Sequence, residues 1–81
     1  MSTEHPVTQH TDSATITVVV NGDARRVRAG ETIAGLVSAL GLDPERLAVE
    51  LDRRIVKRAQ WAFTPLAAGA QIEIVQFVGG G

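Results

Sequence analysis

The stretch TITVVVNGDARRVRAGETIAGLVSALG, residues 15–41, decides the fold of this chain. It opens with β-branched residues on alternating faces, which is typical of a strand with one buried side. The Asn21-Gly22 pair then suits a two-residue type I′ turn, because both central positions of that turn need a positive φ. The chain returns over Ala24–Arg28, so the first part of the stretch predicts a β-hairpin.

The second part of the stretch predicts a helix of about ten residues. Thr32 is the expected N-cap, and Gly41 suits the left-handed position that closes a helix. Gly35 weakens the helix by about 0.8–1 kcal/mol relative to Ala, so the helix needs the sheet for its stability. The apolar stripe of this helix consists of Ile33, Leu36, Val37 and Leu40.

The rest of the chain predicts three further strands. Alternating apolar residues mark a strand over 47–51, followed by a tight turn at 52–54 and a short strand at 55–56. The last strand spans 71–77. The order β-β-α-β-β-β predicts an α+β domain over 15–78, with one helix crossing one face of the sheet. Among known folds this is the order of the ubiquitin-like β-grasp, so we expect a mixed sheet of four to five strands.

Composition narrows the classes of function. The chain has 81 residues and no Cys, which suggests one domain, excludes a Cys nucleophile and suits a reducing compartment such as the cytoplasm. The net charge of −1 disfavours a nucleic-acid binder, and no apolar run approaches the ~18 residues of a membrane span. Basic clusters within 25–28 and 53–58 are either ordinary solvated charge or a docking surface for an acidic partner.

The sequence contains no constellation of catalytic residues. Residues 1–14 are polar and aperiodic, which predicts a disordered tail in which His5 and His10 are solvated rather than bound to a metal. Ser13 and Ser38 have no His and Asp partners nearby, and no phosphate-binding loop is present. We therefore expect no intrinsic catalytic residue, no metal site and no enzymatic activity.

The last strand is followed by Val78 and three glycines, Gly79, Gly80 and Gly81. Glycine loses more backbone entropy than other residues when it is ordered, so 79–81 are predicted to form a flexible tail. Four residues beyond the last strand reach about 13 Å at ~3.3 Å each. Without Cβ atoms, such a tail fits a narrow channel in a partner and delivers the Gly81 carboxylate. The alternative is a frayed end without a function.

The Gly81 carboxylate is ionised near pH 7, which makes it a poor electrophile. Conversion to an acyl phosphate or acyl adenylate allows a sulfur or nitrogen nucleophile to attack it. The chain has no groups for that activation, so another protein must supply it. These features predict a carrier that other enzymes activate and load.

Apolar residues beside the tail suggest where a partner docks. Ile72 and Ile74 are predicted to face the core, so Val75 and Phe77 face the opposite side of the strand. The outer face of a sheet that is covered on one side is normally polar. We hypothesise that Val75 and Phe77, with Val78, form a partner-binding patch, although single exposed apolar residues are also common.

Four pieces of the segment from Ile16 to Gly81 match one family pattern in combination: VNG at 20–22, AGETIAGLVSALGL at 29–42, LAVELDRRIVKRAQW at 47–61 and LAAGAQIEIVQFVGGG at 66–81. In these pieces the segment resembles the ThiS family, the sulfur carrier proteins of thiamine biosynthesis. Asp52, Lys57 and Gly69-Ala70 depart from residues common in that family, at turn and strand-edge positions that leave the chemistry intact.

The resemblance implies a mechanism and partners. A ThiF-type adenylyltransferase, using ATP and Mg²⁺ that this chain does not bind, would adenylate the Gly81 carboxylate. Sulfur from a cysteine desulfurase or another donor would displace AMP, and the resulting thiocarboxylate would donate sulfur to thiazole synthase. Other readings are a MoaD-like carrier for molybdopterin, a carrier for tRNA thiolation or cysteine synthesis, a ubiquitin-like modifier of lysine, and a structural interaction domain.

Overall fold

Five strands and one α-helix form the part of the chain that the computed structural model describes, residues 14–78. Helix α1 spans Ile33–Ala39, and two 3₁₀-helices span Pro44–Arg46 and Arg58–Phe63. The predicted α+β class and the order β-β-α-β-β-β are confirmed. The strands are β1 Thr15–Val20, β2 Asp23–Arg28, β3 Leu47–Leu51, β4 Arg54–Val56 and β5 Gln71–Gln76.

Two of the predicted segments lie outside the described residues. They are residues 1–13 of the N-terminal tail and the glycine tail at 79–81. Ala14, the last residue of the predicted N-terminal tail, is described, and its carbonyl accepts a hydrogen bond from the Ala29 N–H at 3.1 Å. The hydrogen-bonded body of the domain therefore begins one residue before β1.

The five strands lie in the order β2-β1-β5-β3-β4 within one mixed sheet. Strand β5 is central, parallel to β1 and antiparallel to β3, whereas the hairpin partners β2 and β4 form the two edges. The mixed five-stranded sheet with one helix confirms the predicted β-grasp class, while the order of the strands within the sheet was not predicted. Because β5 is the last strand, the chain leaves the sheet from its middle rather than from an edge.

Both hairpins turn through two residues with positive φ. Asn21 (φ 51°) and Gly22 (φ 88°) confirm the predicted turn between β1 and β2. The second turn contains Asp52 (φ 50°) and Arg53 (φ 71°), so the left-handed conformation falls on two residues with a Cβ. Asp52 also bonds to the start of β5, since its N–H donates to the Gln71 carbonyl at 2.8 Å and its Oδ1 accepts from the Gln71 N–H at 3.0 Å. These long-range bonds help to hold the turn in place.

Helix α1 has the predicted cap but is shorter than the predicted ten residues. The Thr32 hydroxyl oxygen accepts a hydrogen bond from the Gly35 N–H at 3.1 Å, and Gly41 (φ 72°) follows the end of the helix. The helix ends at Ala39, and Leu40 is its C-cap. A helix of seven residues is stable only through packing, which its buried stripe provides.

The core lies between α1 and one face of the sheet. Trp61, in the second 3₁₀-helix, belongs to this core and donates its indole N–H to the Val56 carbonyl at 2.8 Å. Among residues 14–78, no helix is long and apolar enough to cross a membrane. The buried apolar residues are Val18, Ile33, Leu36, Val37, Leu47, Val49, Trp61, Leu66, Ala70, Ile72 and Ile74.

Candidate functional site

The candidate site is the end of β5, where the chain leaves the sheet. Strand pairing continues one residue beyond the strand, because the Phe77 N–H donates to the Arg46 carbonyl at 2.8 Å. Val78 is the last described residue, and 86% of its surface is exposed. Gly79, Gly80 and Gly81 lie outside the described residues, so their predicted role stays a prediction. The backbone is thus held by the sheet up to two residues before the first of these glycines.

The two faces of β5 differ as the alternation of its residues predicts. Ile72 and Ile74 are 1% and 9% exposed and belong to the core. Val75 and Phe77, on the opposite face, are 56% and 54% exposed. Val75 lies directly across from Ala48 of β3, so small and apolar side chains adjoin on the outer surface. We call Val75, Phe77 and Val78 the outer patch; its role in docking stays a prediction.

An acidic pair borders the outer patch. Glu73 of β5 lies directly opposite Glu50 of β3, two register positions from the pair formed by Val75 and Ala48 and on the same face of the sheet. Like charges directly opposite one another destabilise a sheet. Neither carboxylate has a salt bridge to a described residue. The outer face around the patch is therefore not arranged for maximal stability of the isolated domain.

Asn21 attaches the first hairpin to the end of β5. Its side-chain Oδ1 accepts from the Ile74 N–H at 2.7 Å, and its Nδ2 donates to the Ile74 carbonyl at 3.2 Å. The carboxamide thus occupies the place of the next peptide group of β1. The sequence predicted Asn21 only as a turn residue, because its partner lies 53 positions away in the chain. No local pattern could have shown this bond.

The described residues offer few groups for chemistry. Residues 14–78 contain no group of three or more His, Cys, Asp or Glu side chains placed to hold a metal ion. Ser38, a candidate nucleophile by residue type, lies exposed on α1, and both His residues of the chain fall within the segment outside the description.

Comparison with known families places most of the chain in one group. The family model described as "ThiS family" matches residues 13–81, which include the glycines at the end. The matched region also contains the whole sheet and α1.

This chain is similar to part of the length of two curated proteins. The thiazole synthase of Magnetococcus marinus is 40% identical over 62 residues, which cover 76% of this chain and 19% of that protein. The thiazole synthase of Paramagnetospirillum magneticum is 38% identical over 64 residues, covering 79% of this chain and 20% of that protein. The chain thus spans about a fifth of the length of these relatives.

Two solved structures share the fold. The crystal structure of the thiamine biosynthesis protein ThiS from Geobacter metallireducens has a TM-score of 0.71 and 29% identity, with 82% of this chain and all of that chain covered. A solution structure of a thiamine biosynthesis protein from the same organism has a TM-score of 0.66 and 30% identity, with 82% of this chain and 88% of that chain covered.

Proposed function

This chain belongs to the ThiS family, and on that premise we propose that it is a sulfur carrier for thiamine biosynthesis. One observation carries the proposal. The family match includes both the terminal glycines and the central strand from which they depart. The glycines are therefore part of a family pattern rather than an arbitrary extension.

The chemistry takes place on the Gly81 carboxylate. A carboxylate oxygen attacks the α-phosphorus of ATP in the active site of a ThiF-type adenylyltransferase, and pyrophosphate leaves. Sulfide then attacks the carbonyl carbon and AMP leaves; where the donor is a cysteine desulfurase persulfide, a thiol reductant supplies the two electrons that release its outer sulfur as sulfide. The product is a C-terminal thiocarboxylate. ATP and Mg²⁺ belong to the activating enzyme.

The domain contributes position rather than catalysis. Pairing of β5 on both sides, extended to Phe77 by the bond to Arg46, fixes the point where the terminal residues begin. The outer patch next to that point offers apolar area for docking. A partner that binds the patch therefore receives the Gly81 carboxylate within a defined radius.

Thiazole synthase is the acceptor that the relatives favour. In two proteins of that name, a segment similar to this chain makes up about a fifth of the polypeptide. A carrier-like segment within an enzyme of that name supports the view that carrier and synthase act together. This observation favours thiazole formation over the molybdopterin, tRNA and cysteine pathways and over lysine modification.

Intact mass spectrometry tests the proposal. After incubation with a ThiF-type adenylyltransferase, ATP, Mg²⁺ and sulfide, the full chain gains about 16 Da as oxygen is replaced by sulfur at the acyl carbon. The matched control lacks Gly81 and gains no mass, while its thermal transition stays unchanged. An unmodified wild-type chain, or a product linked only to lysine, would overturn the carrier proposal.

A further inference from the structure

The two sides of β5 differ in how far their hydrogen bonding extends. On the β3 side, the Phe77 N–H donates to the Arg46 carbonyl and the Gln71 carbonyl accepts from the Asp52 N–H, each at 2.8 Å. Because bonded positions alternate along a strand, the N–H and C=O groups of Gln76 face the other side, toward β1. The bonds of Asn21 to Ile74 follow the same alternation.

Strand β1 ends before it reaches Gln76. Its pairing with β5 stops at Val20 opposite Ile72, and the Asn21 carboxamide adds one more pairing position at Ile74. The chain then turns away through Gly22 into β2. Among residues 14–78, no hydrogen-bond partner faces the N–H and C=O of Gln76 on that side. Within the part of the chain that the structure describes, the end of β5 is therefore an open edge in the middle of the sheet.

A groove runs along this open edge. It has a volume of about 320 Å³ and lies between β5, the first hairpin and the end of α1. The groove is lined by both apolar and polar side chains, a combination that suits the alternating side chains of an extended peptide. Its lining includes Val20, Leu40, Leu42, Ile74, Asp23 and Arg25.

We propose that Gln76 and this groove receive an extended backbone segment of thiazole synthase, which pairs with the end of β5 as an added strand. Free N–H and C=O groups at strand spacing are satisfied best by another peptide backbone. The Asn21 carboxamide, itself an amide, already occupies the preceding position on the same side. Gly79 follows Gln76 by three residues, so the added strand would lie directly beside the start of the tail.

This inference rests on the proposed carrier function and adds a second contact to the outer patch. The patch lies on the face of the sheet, whereas the open edge lies in its plane. A partner that uses both fixes the direction in which the chain leaves the sheet as well as its position. Such control of direction is what delivery into a narrow channel requires.

Replacement of Gln76 by proline is the decisive variant, because it removes the N–H at the open edge and spares the bonds to β3. The matched control, Gln76→Ala, keeps the N–H. We expect Gln76→Pro to bind thiazole synthase about threefold to tenfold more weakly than Gln76→Ala, which lacks the same side chain, and this difference is the value of one lost backbone bond. Isothermal titration calorimetry with full-length carrier and synthase measures both.

Amide hydrogen exchange on the wild-type carrier provides a test that needs no variant. The Gln76 N–H is expected to exchange fast in the free carrier and at least tenfold more slowly in the complex. Equal exchange in both states, or equal affinity of the Pro and Ala variants, overturns the added strand. Slow exchange of the Gln76 N–H in the free carrier also overturns the added strand. It would mean that residues 1–13 or a second copy of the chain already covers the edge.

The outcomes also separate the two proposals. If wild-type carrier neither binds thiazole synthase nor acquires a thiocarboxylate, the carrier function itself fails. If it binds and is loaded but Gln76 is not protected, only the added strand fails.

Discussion

On β5, Ile72 and Ile74 point into the core, whereas Val75 and, just beyond the strand, Phe77 point out of the sheet. All four side chains are apolar. The first two lie at even-numbered positions and the last two at odd-numbered positions, so the two pairs point to opposite faces of the sheet. The inner pair packs against α1 and neighbouring strands and so stabilises the domain. The outer pair keeps about half of its surface in water and contributes little to folding. One strand therefore contributes to stability mainly through one face and exposes apolar surface on the other.

The largest expected effect lies on the inner face. Ile72→Ala should lower the free energy of unfolding by about 2–5 kcal/mol, because it removes buried methylene and methyl groups and leaves a cavity. Val75→Ala, the matched change on the outer face, should cost less than about 0.5 kcal/mol. Urea unfolding followed by circular dichroism measures both. Equal losses in the free energy of unfolding would mean that the outer face of β5 contributes as much to stability as the inner face.

A smaller loss is expected where the first hairpin holds β5. Asn21→Gly removes the carboxamide but tolerates the positive φ, so it isolates the two bonds to Ile74. We expect a loss of about 1–3 kcal/mol in the free energy of unfolding. The Ile74 N–H should exchange faster in the variant. Unchanged exchange at Ile74 would show that the bonds do not hold the strand.

Substitutions on the outer face of β5 should change the affinity for a partner rather than the stability of the domain. Val75→Asp is expected to weaken affinity for thiazole synthase by about tenfold, because a charge enters a patch that the partner desolvates. Thr17→Asp adds the same charge at another exposed strand position, on β1, and should leave affinity unchanged. Calorimetry measures affinity, and thermal melting checks that both variants fold. Parallel losses in both variants would point to net charge rather than to the patch.

The smallest effect concerns the acidic pair beside the patch. Glu73→Lys replaces a like-charge pair with Glu50 by an opposite-charge pair. The change should stabilise the domain by about 0.2–1 kcal/mol, and added salt should reduce the gain. Glu73→Gln, which only removes the repulsion, should give a smaller gain. A loss of stability in both variants would mean that Glu73 makes a favourable contact in the native domain.

Several elements were predicted correctly because their signals are local. The Asn-Gly turn, the Thr32 cap and the Gly41 helix end all depend on backbone conformations that few residues adopt readily. The inward-facing and outward-facing residues of β5 were also predicted from the sequence, since successive side chains of a strand point to opposite faces. The predicted helix was too long because the apolar stripe includes Leu40, which lies at the cap rather than within the helix.

Other features required contacts between distant segments. The central place of β5, the bond pair from Asn21 to Ile74 and the opposition of Glu50 and Glu73 all depend on which strands become neighbours. Packing of the whole core decides which strands become neighbours in the sheet. That packing joins residues far apart in the chain, so no short stretch of sequence predicts it. The open edge at Gln76 was missed for the same reason.

The sequence by itself determined the order of the five strands and the α-helix along the chain, the inward and outward sides of β5, and the glycines that follow it. Those properties depend on residue types and on the side-chain periods of a strand (two residues) and of a helix (3.6 residues), which involve only residues close together in the sequence. Only the tertiary structure decided that β5 is central, and that β1 stops short of Gln76. These depend on strand register, which is fixed when distant apolar faces bury one another in a common core.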